Sequence, residues 1–563
     1  MPAEGSLRVV LCWHMHQPDY RDPETGTFLQ PWVYLHAIKD YVDMAYHLEA
    51  GPVGAAAVVN FSSVLLEQLE AYRDALAARE SRLPDPLLNV LQGDIPEDVI
   101  EREAIVRACF RAHRHRIVAR FSRLEALIDY ATHALAVSGG ARFLSDQFIR
   151  ELVIWYHIGW IGESARISDI RIARLTEKAE SFNSVDACEL LGLIAELIDG
   201  LLPRYRRLAA EGKIELSLTP GTHPMLPLLA GFESAREARP ETPLPQRPYP
   251  GGYDRALAHI EEGIARFERV FGTRPAGCWP SEGGVSDATI AMLERYQFAW
   301  CATGENVLRN SLAKAGYADN PSAMHQGYRV ANHAPTVFFR SDELSDLIGF
   351  SYATWHADDA IADLCTHLER HANSPGMDDA VVSIILDGEN AWEHYPENGW
   401  HFLNSLYCRL AEHPRVKLTT FSKALGNDDR AIAVGSLPNL VSGSWVYGAF
   451  DTWIGHPDKN RAWELLVAAK LAIDTALPNL DAETKAQVHH QLAVCEGSDW
   501  FWWFGDDNPG ETIASFDALY RRQLHGLYRL AGINPPDVLA SPFTSGRSTN
   551  EVEAGGVMRR GSG

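Results

Sequence analysis

Seven short runs of apolar and β-branched residues punctuate the chain: RVVLCW from position 8, AAAVVNF from 55, KIELSL from 213, AGCWP from 276, FAWCAT from 298, TVFFR from 336 and VVSIILD from 381. Several are apolar throughout instead of alternating, as expected of strands covered by helices on both faces. The pattern predicts an α/β fold built on a parallel barrel or sheet. Polar and aromatic residues cluster where the runs end, which is where the C-terminal rim of such a barrel carries its chemistry. Between the second and third runs, residues 65–210 are rich in Leu, Ala, Glu and Arg at helical spacing, as in EAIVRACFRAHRHRIVARFSRLEALIDYATHAL, and predict a helical insertion. Its basic face reads as a solvated helix surface. Residues 231–250, GFESAREARPETPLPQRPYP, hold five prolines and predict an irregular loop that shapes a binding rim. From about 455, NRAWELLVAAKLAIDTAL and TIASFDALYRRQLHGLYRLAG show the three-four spacing of amphipathic helices. The predicted organisation is a barrel domain over 1–430, a mainly helical domain over 431–541 that completes the site, and a disordered tail over 542–563, where apolar residues are too few to support a core.

Composition narrows the function classes. With 46% hydrophobic and 22% charged residues over 563 positions, the chain has the make-up of a globular protein with a sizeable core. A formal net charge of -23 argues against a nucleic-acid partner, because phosphate binding relies on clustered Lys and Arg, and it suits an uncharged substrate such as a sugar. The cysteines are scattered singly, with no C-x-x-C pair, and read as reduced thiols. The start, MPAEGSLRVV, lacks a basic segment followed by a long apolar stretch, and no 18-residue apolar span occurs, so the expectation is a cytoplasmic protein without a membrane partner.

The candidate chemistry sits at the run ends. LCWHMHQPDY places Trp13, His14, His16 and Gln17 past the first run, and two readings compete for them, a metal site and a polar pocket for a hydroxyl-rich ligand. CWPSEGG puts Trp279 and Glu282 on a tight turn before two glycines; Glu282 reads equally as a catalytic carboxylate or as part of a helix N-terminus that Ser286 caps. VVSIILDGENAWEHY delivers Asp387 to a strand end, with Glu389 and Trp392 close behind, where an ionised carboxylate is costly without a purpose. Two carboxylates from different strand ends are what glycosidic cleavage requires. TPGTHP adds His223, so that His14, His16, His223 and Asp387 form the ligand set of a metal-dependent hydrolase or deacetylase on the competing reading. Near the C-terminus, SDWFWWFGDD as a helix would show Trp500, Trp503 and Phe504 on one face and Asp499, Trp502 and Asp506 on another, and SGSWVYGAFDTWIGHP adds Trp445 and Trp453 in a loop. Aromatic faces stack on sugar rings and aspartates accept from hydroxyls, while plain packing of a helical bundle explains most of the same rings.

Taken together, the segments HMHQP (14 to 18), GTHPMLP (221 to 227), CWPSEGG (278 to 284), LDGENAWE (386 to 393) and SDWFWWFGDD (498 to 507) resemble the motifs of glycoside hydrolase family 57, in order and across the chain to about residue 540. The resemblance implies an incomplete (β/α)7 TIM-like barrel followed by a helical bundle, a retaining mechanism on α-glucans, and no metal or other cofactor. Glu282 then corresponds to the nucleophile and Asp387 to the acid/base, while His16 and His223 correspond to contacts with the sugar beside the scissile bond. Within the family the likeness is greatest to α-amylase and amylopullulanase members, acting on α-1,4 links of starch, glycogen or maltooligosaccharides with α-1,6 links as a further target. A 4-α-glucanotransferase or branching enzyme, or a non-catalytic glucan-binding protein, are the alternatives. Retention further predicts carboxyl groups about 5 to 5.5 Å apart, and an Asp387 kept protonated by the Glu282 charge.

Overall fold

The structure, a computed structural model, describes residues 7–317, 321–377, 380–426 and 432–544. Its sheet follows the seven predicted runs: β1 (Leu7–Met15), β2 (Ala57–Ser62), β3 (Ile214–Thr219), β4 (Gly277–Cys278), β5 (Trp300–Thr303), β7 (Thr336–Phe339) and β8 (Val381–Asp387). All seven are parallel, and neighbours in space are neighbours in this sequence, from β1 through β5 to β7, with β8 returning to pair along β1. The ring meets between β7 and β8 at one isolated parallel bridge, Arg340 to Ser383. This is the incomplete (β/α)7 barrel expected from the sequence. The Arg340 side chain reinforces the thin seam: its Nε donates to the Ile385 carbonyl at 2.9 Å, and its terminal nitrogens reach Asp342 and Asp346, both at 2.8 Å.

Three strands were not anticipated. β6 (Gly327–Val330) runs antiparallel to β7, β10 (Val434–Leu437) pairs with β6, and β9 (Val416–Thr419) pairs with the first half of β1. Each is interrupted by a polar residue or glycine, as in GYRV, VKLT and VGSL, so none forms an apolar run, and β10 has exposed positions besides.

The alternation of β1 sorts its side chains between two cores. Val10 and Cys12 pack inside the ring with Val58, Trp300, Phe338, Ile385 and Phe421, whereas Leu7, Val9, Leu11, Trp13 and Met15 join the large outer core beneath the helices. Continuing the inward phase puts His14 in the polar layer above the apolar plug, level with Asn60 on β2 and Asp387 on β8, its register partners. The plug forces the barrel's chemistry to its C-terminal rim.

The insertion after β2 is helical from Ser63–Ala78 through Ser184–Ala210. The C-terminal part carries the helices Pro457–Ala476, Ala482–Cys495, Ser498–Trp503 and Gly510–Leu530. The proline-rich segment departs from expectation. It begins with two helical turns, Phe232–Ser234 and Ala235–Ala238, and its later part braces the loop before the bundle, with Thr242 bonded to Asp451 and the Pro243 carbonyl accepting from Asn460, instead of lining the cleft. The predicted tail lies outside the described residues from 545 onward. No helix among the described residues is long and apolar enough to cross a membrane.

Candidate active site

A cleft of about 580 Å³ opens at the C-terminal rim. Its wall combines the ends of β1 and β8, the turns after β3 and β4, and two pieces from beyond residue 440. The residues His14, His16, Gln17, His223, Trp279, Glu282, Asp387, Glu389 and Asp499, which lie as far as 485 positions apart, all line it.

Glu282 owes its placement to a strained turn. β4 stops after two residues, and Glu282 takes φ 59°, a left-handed conformation that costs a non-glycine residue energy and commonly marks a functional position. The turn is pinned by Thr303, whose hydroxyl donates to the Gly283 carbonyl, and by the paired hydrogen bonds of Val285 with Gly443. The 443–445 segment thereby brings Trp445 over the carboxylate: its backbone N–H donates to the Glu282 carbonyl at 3.1 Å and its indole Nε1–H to Oε2 at 3.0 Å. The Ser498 hydroxyl donates to Oε1 at 3.3 Å. Despite these donors, burial lifts the Glu282 pKa to about 8, and the charges of Asp499 and Asp387 add to the rise.

Asp387 ends β8, partly exposed to the cleft. Enclosure by protein is the main cause raising its pKa, opposed by a 2.7 Å bond from Asn390 and by the His16 and Arg340 charges. The expectation that the Glu282 charge would hold a proton on Asp387 therefore needs correction: desolvation dominates at both carboxyls, and the mutual repulsion registers on Glu282. Gly388 has no room for a side chain, since a Cβ there would meet the Met15 sulfur at 2.1 Å, and its N–H donates to the His14 carbonyl at 2.6 Å. Glu389 is buried, bonded at 3.4 Å by Gln17 and beside the Tyr41 hydroxyl, with its pKa pushed well up by burial and then by Asp387.

The histidines form one cluster. His14 bonds Asn60 through Nδ1 at 2.7 Å and meets His223 at 3.1 Å, both through Nε2; His16 bonds Ser62 at 2.8 Å and Asp499 at 2.9 Å; and His223 Nδ1 meets the Ser498 hydroxyl at 2.8 Å. The His16 and His223 rings stack at 3.7 Å. Burial, followed by the neighbouring imidazoles, drives the His223 pKa well down and His14 to about 3, so both are neutral rings with lone pairs to offer. Donor atoms of His16, His223 and Asp499 lie within 4.8 Å of one another, a spacing that could hold a metal ion; Asp387 is not in that group, unlike the set expected from sequence.

The remaining candidates lie elsewhere. Trp13 points outward by the pleat, donating to Tyr407 at 2.8 Å and packing edge-on against Trp392. Trp392 sits behind the cleft wall, its indole bonded to the Gly388 carbonyl at 3.0 Å. Trp453 is core, against Trp463 and Trp502. The helix Ser498–Trp503 is too short to carry the predicted faces: Asp499 and Trp503, one turn apart, reach the cleft, whereas Trp500 bonds the Val494 carbonyl and stacks on Tyr520, and Asp506, beyond the helix, is exposed beside His456. Tyr20 and Asn390 line the cleft without having been singled out, although both lie within quoted segments, and Trp445 lines it too.

A family model described as glycosyl hydrolase family 57 matches residues 10–433. Among solved structures, a branching enzyme of that family from Thermococcus kodakaraensis, in complex with glucose, is 15% identical with a TM-score of 0.57, covering 99% of both chains. An α-amylase from Thermotoga maritima is 14% identical with a TM-score of 0.54, covering 95% of this chain and 96% of its own. A 4-alpha-glucanotransferase from Thermococcus litoralis is 13% identical with a TM-score of 0.51, covering 94% of this chain and 60% of its own. At such identities the likeness is one of fold. No curated protein matches the sequence.

Proposed function

The chain belongs to glycosyl hydrolase family 57, and from that premise we propose that it is a retaining enzyme acting on α-glucans, with Glu282 as nucleophile and Asp387 as acid/base. The observation that carries this reading is the opening of both carboxyls, 105 positions apart in sequence, into one cleft walled by histidines and tryptophans. The division of roles follows from their partners. The nucleophile must be ionised to attack; burial leaves Glu282 the minority anion below about pH 8, but among the described residues two donors, Trp445 and Ser498, stabilise that anion, whereas Asp387 has one, Asn390.

In the first step a Glu282 oxygen bonds to the anomeric carbon, the glycosidic C–O bond breaks, and Asp387 passes its proton to the departing oxygen. Water or a sugar hydroxyl then gives its proton to Asp387 and displaces the Glu282 ester, restoring both groups. His14, His16, His223, Gln17 and Asp499 offer hydrogen bonds to sugar hydroxyls, and Trp279, Trp445 and Trp503 offer ring faces. Hydrolysis of α-1,4 links, with α-1,6 links as a further target and in the cytoplasm, is the finer form of the proposal.

Incubation with maltooligosaccharides followed by chromatography tests it. Shorter products support hydrolysis. A ladder of longer chains, or new branch points, would assign the same two carboxyls to transfer. No change in any α-glucan, with Glu282→Gln indistinguishable from the unaltered enzyme, would overturn the reading.

A further inference from the structure

One continuous row of hydrogen bonds runs from β2 to the nucleophile, through Asn60, His14, His223, Ser498 and Glu282. The Asn60 amide lies 2.7 Å from His14 Nδ1, His14 Nε2 lies 3.1 Å from His223 Nε2, His223 Nδ1 lies 2.8 Å from the Ser498 hydroxyl, and that hydroxyl lies 3.3 Å from Glu282 Oε1. The His14 and His223 rings meet edge to edge, since 5.2 Å between their centroids is close to the largest separation possible across a 3.1 Å nitrogen contact. His223 is held by a left-handed φ of 65°, like that of Glu282, and by its carbonyl, which accepts from the Ser498 N–H at 2.8 Å.

Each contact in such a row needs one proton and only one. Burial keeps both rings neutral, so each carries a single N–H. If His14 held its proton on Nδ1, His223 would have to hold its own on Nε2, and the Ser498 proton would be drawn to the bare His223 Nδ1 and away from Glu282. If His14 holds it on Nε2, His223 carries Nδ1–H, Ser498 accepts from that ring, and its hydroxyl donates to the Glu282 carboxylate. The second state stabilises an ionised nucleophile. It requires a donor facing His14 Nδ1.

The surroundings of Asn60 supply that donor. The amide atom that meets His14 also meets Thr219 Oγ1 at 2.7 Å, and Thr219 Oγ1 lies 2.6 Å from the Trp279 carbonyl. A carbonyl only accepts, so it takes the Thr219 proton and leaves a Thr219 lone pair toward Asn60. With the amide oxygen there, as the structure has it, two acceptors would face each other. Oxygen and nitrogen of an amide are alike in shape, and the proton count decides between them. With the nitrogen there, its two protons go to Thr219 and His14, and the oxygen on the other side accepts from the Ser217 hydroxyl at 3.0 Å. Asn60, Ser217 and Thr219 are all fully buried, where an unmatched pair is costly.

We propose that Asn60 is a positioning residue for the nucleophile: its amide N–H, turned toward His14, sets the tautomers of His14 and His223 so that the Ser498 hydroxyl donates to Glu282. The inference rests on the reading of Glu282 as nucleophile and deepens it. Asn60 lies beneath the cleft lining and acts through two rings and a hydroxyl.

Neutron diffraction from deuterium-exchanged crystals of the full chain, held above the Glu282 pKa of about 8, tests this without a variant. Deuterons are expected on His14 Nε2 and His223 Nδ1, with the Asn60 nitrogen toward His14. A deuteron on His14 Nδ1 or on His223 Nε2 would overturn the proposal. In turnover, Asn60→Leu and Ser498→Ala should each lower kcat on maltooligosaccharides by about tenfold, and the double variant should be no slower than the slower single one, because Asn60 acts through that hydroxyl. Losses that multiply, as independent structural effects do, would overturn it equally. The deuteron positions are read without turnover, so a failure of the glycosidase reading, seen as an unaffected Glu282→Gln, is told apart from a failure of the relay.

Discussion

Glu496 and Glu282 are both carried into the interior beside a histidine, and the protein treats them in opposite ways. Glu496 receives a two-pronged contact from Arg255 at 2.7 and 2.8 Å, a bond with His259 at 2.8 Å and another from the Tyr249 hydroxyl at 2.5 Å. Burial alone would raise its pKa, but the Arg255 charge and these bonds outweigh it and bring the group to about 2. Glu282 has two side-chain donors, Trp445 and Ser498, and no arginine or lysine partner among the described residues, and burial takes it to about 8. One carboxylate clamps the end of the helix Ala482–Cys495 against the helix Gly252–Phe271; the other is kept uncompensated in a cleft. A buried glutamate with its charge answered is structural, and one with its charge unanswered is available for chemistry.

The largest expected effects lie in exchanging amide for carboxylate at the two positions. Glu282→Gln should lower turnover on α-glucan by roughly a thousandfold or more, about 4 kcal/mol of barrier, while glucan binding and denaturant unfolding change little. Glu496→Gln should do the reverse, leaving Arg255 buried beside a neutral partner at a cost of about 3 to 5 kcal/mol in denaturant unfolding. If both variants lose activity and stability together, the distinction fails.

Acid unfolding sharpens the same contrast. Because the folded pKa of Glu496 lies below its ordinary value of 4.5, its contribution to stability is complete above that value and is lost as pH falls toward about 2. Unfolding free energy should therefore fall between pH 4.5 and 2 in the unaltered protein and more shallowly in Glu496→Gln; parallel curves would deny the clamp its role.

A smaller effect is expected of Trp445→Phe, which keeps a ring at the cleft and removes one donor to Glu282. Losing a hydrogen bond to a charged group is worth about 1.5 to 3 kcal/mol, so kcat should drop by one to two orders of magnitude with stability little altered, because Trp445 is half-buried. Smallest of all, Trp13→Phe breaks the bond to Tyr407 and should cost about 1 kcal/mol of stability, leaving KM for maltooligosaccharides within experimental error. A large rise in KM would return Trp13 to the sugar site.

The barrel was legible because its seven parallel strands are continuous apolar runs, a pattern that survives in sequence without knowledge of neighbours. The cleft was legible where a polar residue interrupts the end of such a run, as at His14, His16, Asp387 and Glu282. Legibility failed where direction mattered. Trp13 adjoins His14 in sequence, yet the pleat sends the two to opposite faces, and Trp500 adjoins Asp499 on a helix whose single turn does the same. It also failed where the answer depends on a contact between remote segments. Trp445 acquires its place over Glu282 through the pairing of Val285 with Gly443, which no local period announces. The strands β6, β9 and β10 were missed because polar residues or glycine interrupt them, as in GYRV, VKLT and VGSL, so that no apolar run marks them.

The most direct measurement traps the intermediate. Treating the enzyme with a fluorinated α-glucosyl fluoride that forms the glycosyl ester faster than it is hydrolysed, then mapping peptides by mass spectrometry, should place one hexosyl adduct on Glu282. An adduct on another carboxylate, or turnover to the inverted anomer with no adduct at all, would contradict the account.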